Sequence, residues 1–155
     1  MPHAIVYRIN VNPQGGVPKY AIAQTEITFA GVRGDRQKDR QHHGGPLQTV
    51  SLYALELIHA LRAEGHPIDV GTTGENLTLQ GLDWARVQIG DQLAIGERVL
   101  LEITDYATPC KTIAASFTDQ QFKRISHKLH PGWSRLYARV LCEGTVRGGD
   151  PVELA

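Results

Sequence analysis

The sequence predicts a mainly β protein, a β-barrel with a few peripheral α-helices, and three observations predict it. Short apolar runs rich in Val, Ile, Thr and Tyr recur along the chain; Gly, Pro and Asn break them at close intervals; helical spacing is confined to two stretches. The 155 residues suit one domain, taken as 1–155 around one core, because domains cluster near ~100–150 residues.

In the first third, AIVYRINV, the NPQGG turn and VPKYAIAQTEITFAGV read as strands and breakers. GDRQKDRQHHGGPLQ, from Gly34 to Gln48, has almost no apolar residue and reads as a long surface loop, a kind of segment that often carries function. TVSLYALELIHALRAEG then places Leu52, Leu55, Ile58 and Leu61 at helical spacing and ends at Gly65, suited to a C-cap. From Pro67 the strand-like pieces NLTL, ARVQI, QLAIG and VLLEIT are parted by Gly-Leu-Asp, Gly-Asp and Gly-Glu turns, the spacing of a barrel or closed meander. After Cys110, KTIAASFTDQQFKRIS predicts two short helices or one bent helix, with Thr118-Asp119 as an N-cap. The tail SRLYARVLCEGTVRGGDPVELA predicts two strands joined at Gly144 or at Gly148-Gly149.

Composition excludes several function classes. Sixteen basic residues balance sixteen acidic ones, so an anion must be met by local clustering, and no nucleic-acid partner is expected. No stretch approaches the ~20 apolar residues of a membrane span, and MPHAIVYRINV lacks a basic start with an apolar core, so a cytoplasmic protein with no membrane partner is expected. The two cysteines, Cys110 and Cys142, lack the paired spacing of a structural zinc site and are treated as separate thiols.

Cys110 stands between a strand-like and a helix-like run, beside Lys111, where positive charge and a helix N-terminus would favour a thiolate able to bind a soft metal. A small buried hydrophobe is the commoner fate of a lone cysteine, and Cys142, inside YARVLCEG, is read that way. His42-His43-Gly44-Gly45 offers imidazoles beside glycines that permit close backbone approach, for anion contact or as a solvated loop. Asn76, in Gly74-Glu75-Asn76-Leu77, either meets a heterocycle edge or holds its turn. Arg33, Arg36, Lys38 and Arg40 cluster in one loop and Lys19 follows the Gly-Gly-Val-Pro turn, a set able to hold a phosphate, although no P-loop signature is present.

Taken in order, GGVPK at 15–19, GVRGDRQKDRQHHGG at 31–45, GTTGENLTLQGLDW at 71–84, VQIGDQLAIG at 87–96 and Pro109-Cys110 resemble the MOSC (molybdenum cofactor sulfurase C-terminal) domain over nearly the whole chain. The resemblance implies a twisted β-barrel and the molybdenum cofactor (molybdopterin), with no role for pyridoxal phosphate. It implies that Cys110 ligates molybdenum or carries sulfur, that Lys19 and Arg36 meet the pterin phosphate, and that Asp35, His43, Asn76 and Lys111 belong to the same pocket. Similar proteins include the amidoxime-reducing components and bacterial hydroxylaminopurine-resistance proteins, so the implied activity is oxidoreduction of an N-hydroxylated small-molecule substrate. The chain lacks a fused iron–sulfur segment, so electrons are expected from a separate reductase. Two other readings stay open: a sulfur carrier loaded on Cys110 by a cysteine desulfurase, and a non-catalytic anion-binding module. Either is compatible with a homodimer.

Overall fold

The computed structural model describes residues 3–36 and 48–155. In chain order the described strands are β1 (Ala4–Val11), β2 (Tyr20–Ile22), β3 (Gln24–Thr28), β4 (Gly31–Val32), β5 (Val50–Ala54) and β6 (Leu77–Gln80). They continue with β7 (Gln92–Ile95), β8 (Val99–Tyr106), β9 (Leu136–Cys142), β10 (Gly144–Arg147) and β11 (Pro151–Leu154). One α-helix, α1 (Leu55–Ala63), lies between β5 and β6.

Seven strands close a ring in the order β1, β6, β5, β9, β8, β7, β11, with β11 returning to β1 through Ala4–Val152 and Ile5–Pro151. The proline opens its strand, the place where a missing N–H is tolerated. β2 extends β1 outside the ring, and β3, β4 and β10 form a separate small sheet. In β8, Val99, Leu101 and Ile103 are buried while Leu100, Glu102 and Thr104 are half-exposed, the period-two pattern of a strand with one face on the core.

β5 and β6 are the one parallel pair among the described strands. Parallel neighbours need a crossover connection of a dozen residues or more, and α1 with the turns after it supplies one. The helix buries Leu55, Ile58 and Leu61 along one stripe. It ends as the sequence predicts: Gly65 has φ of 101°, its N–H donates to the Arg62 carbonyl, and the His66 N–H donates to the Leu61 carbonyl. That pair of bonds is a Schellman cap.

Four details differ from expectation. Leu52 belongs to β5, all five of whose residues are buried; a short run covered on both faces has no periodicity to separate strand from helix. The ARVQI segment is not a strand, because Trp84–Arg86 form a 3₁₀ turn that buries Trp84 and aims its indole N–H at the Ser134 carbonyl, 2.9 Å away. The tail makes three strands, since both glycine sites break it. After Cys110 the chain forms three short 3₁₀ turns, and Asp119 sits at φ of 53° with no capping bond.

These short turns are held from outside. Ser116 donates to Thr72 Oγ1 (2.9 Å), the Thr118 N–H donates to His66 Nδ1 (3.1 Å), and Thr118 Oγ1 donates to the Gly65 carbonyl (2.9 Å). Arg124 donates to both carboxylate oxygens of Glu64 at 3.0 and 2.8 Å, and its guanidinium lies 3.9 Å over the Trp133 ring. The Trp133 carbonyl accepts from the Tyr53 hydroxyl of β5 at 2.7 Å, and burial pushes that phenol far above its ordinary range. The segment after Cys110 is thereby fastened to α1 and to the ring.

Tyr53→Phe deletes that one bond without changing the buried ring. It is expected to destabilise the protein by about 0.5–1.5 kcal/mol in urea denaturation, the net worth of one hydrogen bond to a partly buried carbonyl. A loss below about 0.5 kcal/mol, within the range of a neutral surface change, would show that water replaces the hydroxyl.

Candidate functional site

A cleft of about 280 Å³ opens between the loop after β1, the turn before β6, the start of β5, and the segment joining β8 to β9. Lys19, Arg36, Cys110 and Arg135 bring polar chemistry to it, while Val17, Ile113 and Tyr137 supply apolar wall.

Beneath the cleft, the Asp35 carboxylate gathers three donors. Oδ1 accepts from the Asn12 N–H at 2.8 Å, and Oδ2 accepts from Lys19 Nζ at 2.6 Å and from Asn76 Nδ2 at 2.8 Å. The Lys19 and Asp35 side chains are only 8% and 6% exposed, so this is a buried ion pair whose charges balance each other. Asn76 is buried and fully engaged: its N–H donates to the Ser51 carbonyl, its carbonyl accepts from Asn10, and its Oδ1 accepts the Ser51 N–H at 3.0 Å. Its side chain holds Asp35 and does not line the cleft.

The neighbouring Glu75 is also wholly buried. Its carboxylate accepts from Thr73 Oγ1 (3.0 Å), the Gly71 N–H (3.2 Å) and Thr78 Oγ1 (2.9 Å). Burial raises its pKa above the ordinary glutamate range, and the donated hydrogen bonds oppose the shift without cancelling it. The turn it ties together depends on two glycines. Gly71 and Gly74 both have φ of 83°; a Cβ on Gly71 would strike the Lys19 carbonyl, and one on Gly74 would lie 2.9 Å from Val17 Cγ1. The Lys19 N–H donates to the Gly71 carbonyl at 2.9 Å, and Arg135 Nη1 donates to the Thr73 carbonyl at 2.7 Å. One turn thus places a cation on each side of itself.

Cys110 is partly exposed on the cleft wall and Cys142 is exposed at the end of β9. Burial pushes the Tyr137 phenol up and Arg135 pulls it back, and this ring and Cys110 both line the cleft. The turn that follows Cys110 is a six-residue 3₁₀ segment, too short to gather the aligned dipole of an α-helix. Lys111 is exposed and is not among the residues that line the cleft, whereas Arg36 is exposed and lines it. Lys38, Arg40, His42, His43, Gly44 and Gly45 lie outside the described residues.

Sequence reasoning missed Arg135, Tyr137 and Glu75. The one available signal was a lone arginine directly before the apolar run LYARVL, and it does not say which way the side chain faces.

The cleft suits the cofactor that the family resemblance implies. Among the described residues Arg135 Nε is buried without a hydrogen-bond partner, an arrangement that favours an anionic ligand, and the Cys110 sulfur is a soft donor appropriate to molybdenum already bearing sulfur. Among the described residues no three His, Cys, Asp or Glu side chains cluster as metal ligands. Cys110 would be a single protein ligand to a metal that arrives with the others.

Removing the counter-charge under Lys19 has a defined effect. Asp35→Asn is expected to cost about 3–5 kcal/mol in urea denaturation because it leaves a buried ammonium uncompensated. Adding Lys19→Met should restore part of that loss, and a double-variant loss equal to the sum of the two single-variant losses would show that the pair is uncoupled. Glu75 makes a pH-dependent contribution. Its folded pKa is raised, so the stability it contributes is full below about pH 4.3, the ordinary glutamate value, and is lost as pH rises through the folded pKa. The stability difference between wild type and Glu75→Gln should therefore shrink as pH rises above that value. A difference that grows with pH would reverse the assigned direction.

Comparison with known proteins agrees with this architecture. The chain is 34% identical over 124 residues to the uncharacterized protein YflK of Bacillus subtilis strain 168, covering 78% of this chain and 54% of that protein. It is 33% identical over 129 residues to a protein of Gibberella moniliformis named "Reductase", covering 80% of this chain and 22% of the relative. The chain thus spans about half and about a fifth of these relatives' lengths. The crystal structure of YiiM from Geobacillus stearothermophilus superimposes with a TM-score of 0.71 at 25% identity, covering 98% of this chain and 75% of that one. The sequence model of the MOSC domain matches residues 39–153, a span that ends within β11. With most of its length accounted for in this way, the chain belongs to the MOSC domain family.

Proposed function

We propose that this cleft binds the molybdenum cofactor and that the protein reduces N-hydroxylated compounds there, with Cys110 as its sulfur ligand to the metal. The observation that carries the reading is the accessible Cys110 thiol on a wall shared with the cations Lys19, Arg36 and Arg135. The relative named "Reductase" supports the reaction class. When bound, the cofactor supplies the redox chemistry at its metal.

The chain's own residues do the rest. Arg36 at the rim and Lys19 below it suit the cofactor's phosphate, and the Asp35 carboxylate keeps the Lys19 ammonium from swinging out. Val17, Ile113 and Tyr137 narrow the space beside Cys110 and exclude water from it. A separate reductase delivers the electrons. His43 and Lys111 stay within the proposal only as residues that the family resemblance implies for the pocket.

The partial exposure of Cys110 favours a second reading, a sulfur carrier loaded as a persulfide by a cysteine desulfurase. Protein purified from a cofactor-producing host is expected to carry near-stoichiometric molybdenum by elemental analysis. Cys110→Ser should lose the metal while keeping the melting curve of cofactor-free wild type. Wild-type protein without molybdenum from such a host sinks the first reading. Gain of one sulfur atom on Cys110 after desulfurase treatment, measured by intact mass in a Cys142→Ser background, would establish the second.

A further inference from the structure

The guanidinium of Arg135 has donor capacity that the described protein does not use. The residue is only 8% exposed and lines the cleft. Nη1 is spent on the Thr73 carbonyl at 2.7 Å, and Nε is buried with no partner. Buried polar groups in folded proteins are nearly always paired, and each exception calls for a reason.

The chain itself shows what the Nε–Nη2 edge of an arginine does with an anion: Arg124 uses that edge to take both oxygens of Glu64, at 3.0 and 2.8 Å. Among the described residues no carboxylate is paired with the same edge of Arg135. Lys19 offers a single ammonium already held 2.6 Å from Asp35, a point charge and not a two-pronged edge, so any phosphate it helps to hold leaves the Arg135 edge unused. Arg36 is exposed, where water screens its charge. Arg135 is fixed in place, since the carbonyl that it grips belongs to Thr73, whose hydroxyl is bonded to Glu75. A preoriented planar fork in a buried wall is well matched to two oxygens of one group.

We infer that Arg135 is an oxyanion seat, whose free edge takes two oxygens of a phosphate, sulfate or carboxylate group on the Cys110 side of the cleft. The seat does not depend on molybdenum, so it is tested on protein from a host that makes no cofactor. Inorganic phosphate is the probe. Titration should shift the Arg135 Nε–H resonance in a saturable way. Calorimetry should show phosphate binding weakened at least about tenfold in Arg135→Gln, the scale of a lost charge-assisted bond. Arg135→Lys should recover only part of it, having charge without the fork, and the exposed Lys123→Gln should bind as wild type does.

An Arg135 Nε–H resonance unmoved by phosphate, or Arg135→Gln binding as tightly as wild type, overturns the inference. If Arg135→Gln does not fold, the wild-type resonance decides. Repeating the titration on cofactor-loaded protein separates the sources of the anion. Phosphate binding retained assigns the seat to an anionic group on the substrate, and binding lost assigns it to the group loaded. Protein that binds phosphate through Arg135 yet never retains molybdenum would refute the reading under "Proposed function" and leave the seat standing.

Discussion

Asn76 is the residue on which the site hangs. Its backbone joins Ser51 of β5 to Asn10 of β1, and its side chain carries a bond to Ser51 on one end and to Asp35 on the other. Strand pairing and placement of the Asp35 arm are therefore set by the same amide. A carboxylate in that place could accept the Ser51 N–H but would offer nothing to Asp35, and an aliphatic residue could do neither. Because Asp35 in turn holds Lys19, the geometry of the ring is passed to the cleft through two short hydrogen bonds.

The floor of the cleft is a polar network inside an otherwise apolar barrel. Arg8 bonds to Asn10, Asn10 to Thr78, Thr78 to Glu75, and Glu75 receives Thr73 and the Gly71 amide. Every group from Asn10 to Thr73 has a partner, which makes such a network rigid, since breaking one bond strands the next group in a medium of low polarity. The apolar ring supplies stability and the polar floor supplies position. Arg135, bonded to Thr73 and open on its other edge, lies where the network meets the cleft.

The strands were legible wherever one face meets the core and the other does not. β7 and β8 alternate and are bounded by glycine turns, so their sequence carries both pattern and punctuation. β5 was not separable from α1, since Val50 to Leu55 is buried throughout and its period is invisible. In the site, Lys19, Arg36 and Cys110 were legible as reactive residue types next to turns, and the structure puts all three on one cleft. Asn76 was legible as a turn-adjacent polar residue and Asp35 only through the family resemblance, and their place under the cleft depends on contacts 41 residues apart in the chain. Arg135 and Tyr137 gave no local sign of which way they face, because that is settled by the pairing of Tyr137 with Ser51 and Asp105.

The ring is closed by residues 4–5 meeting residues 151–152. Such a seam carries the largest loop-closure entropy the chain can pose, so it is expected to form late and slowly relative to the β7–β8 hairpin. During synthesis the outer edge of β1 stays without its β11 partner until the last strand has been made. Over that interval it is a bare strand edge, open to pairing with another chain.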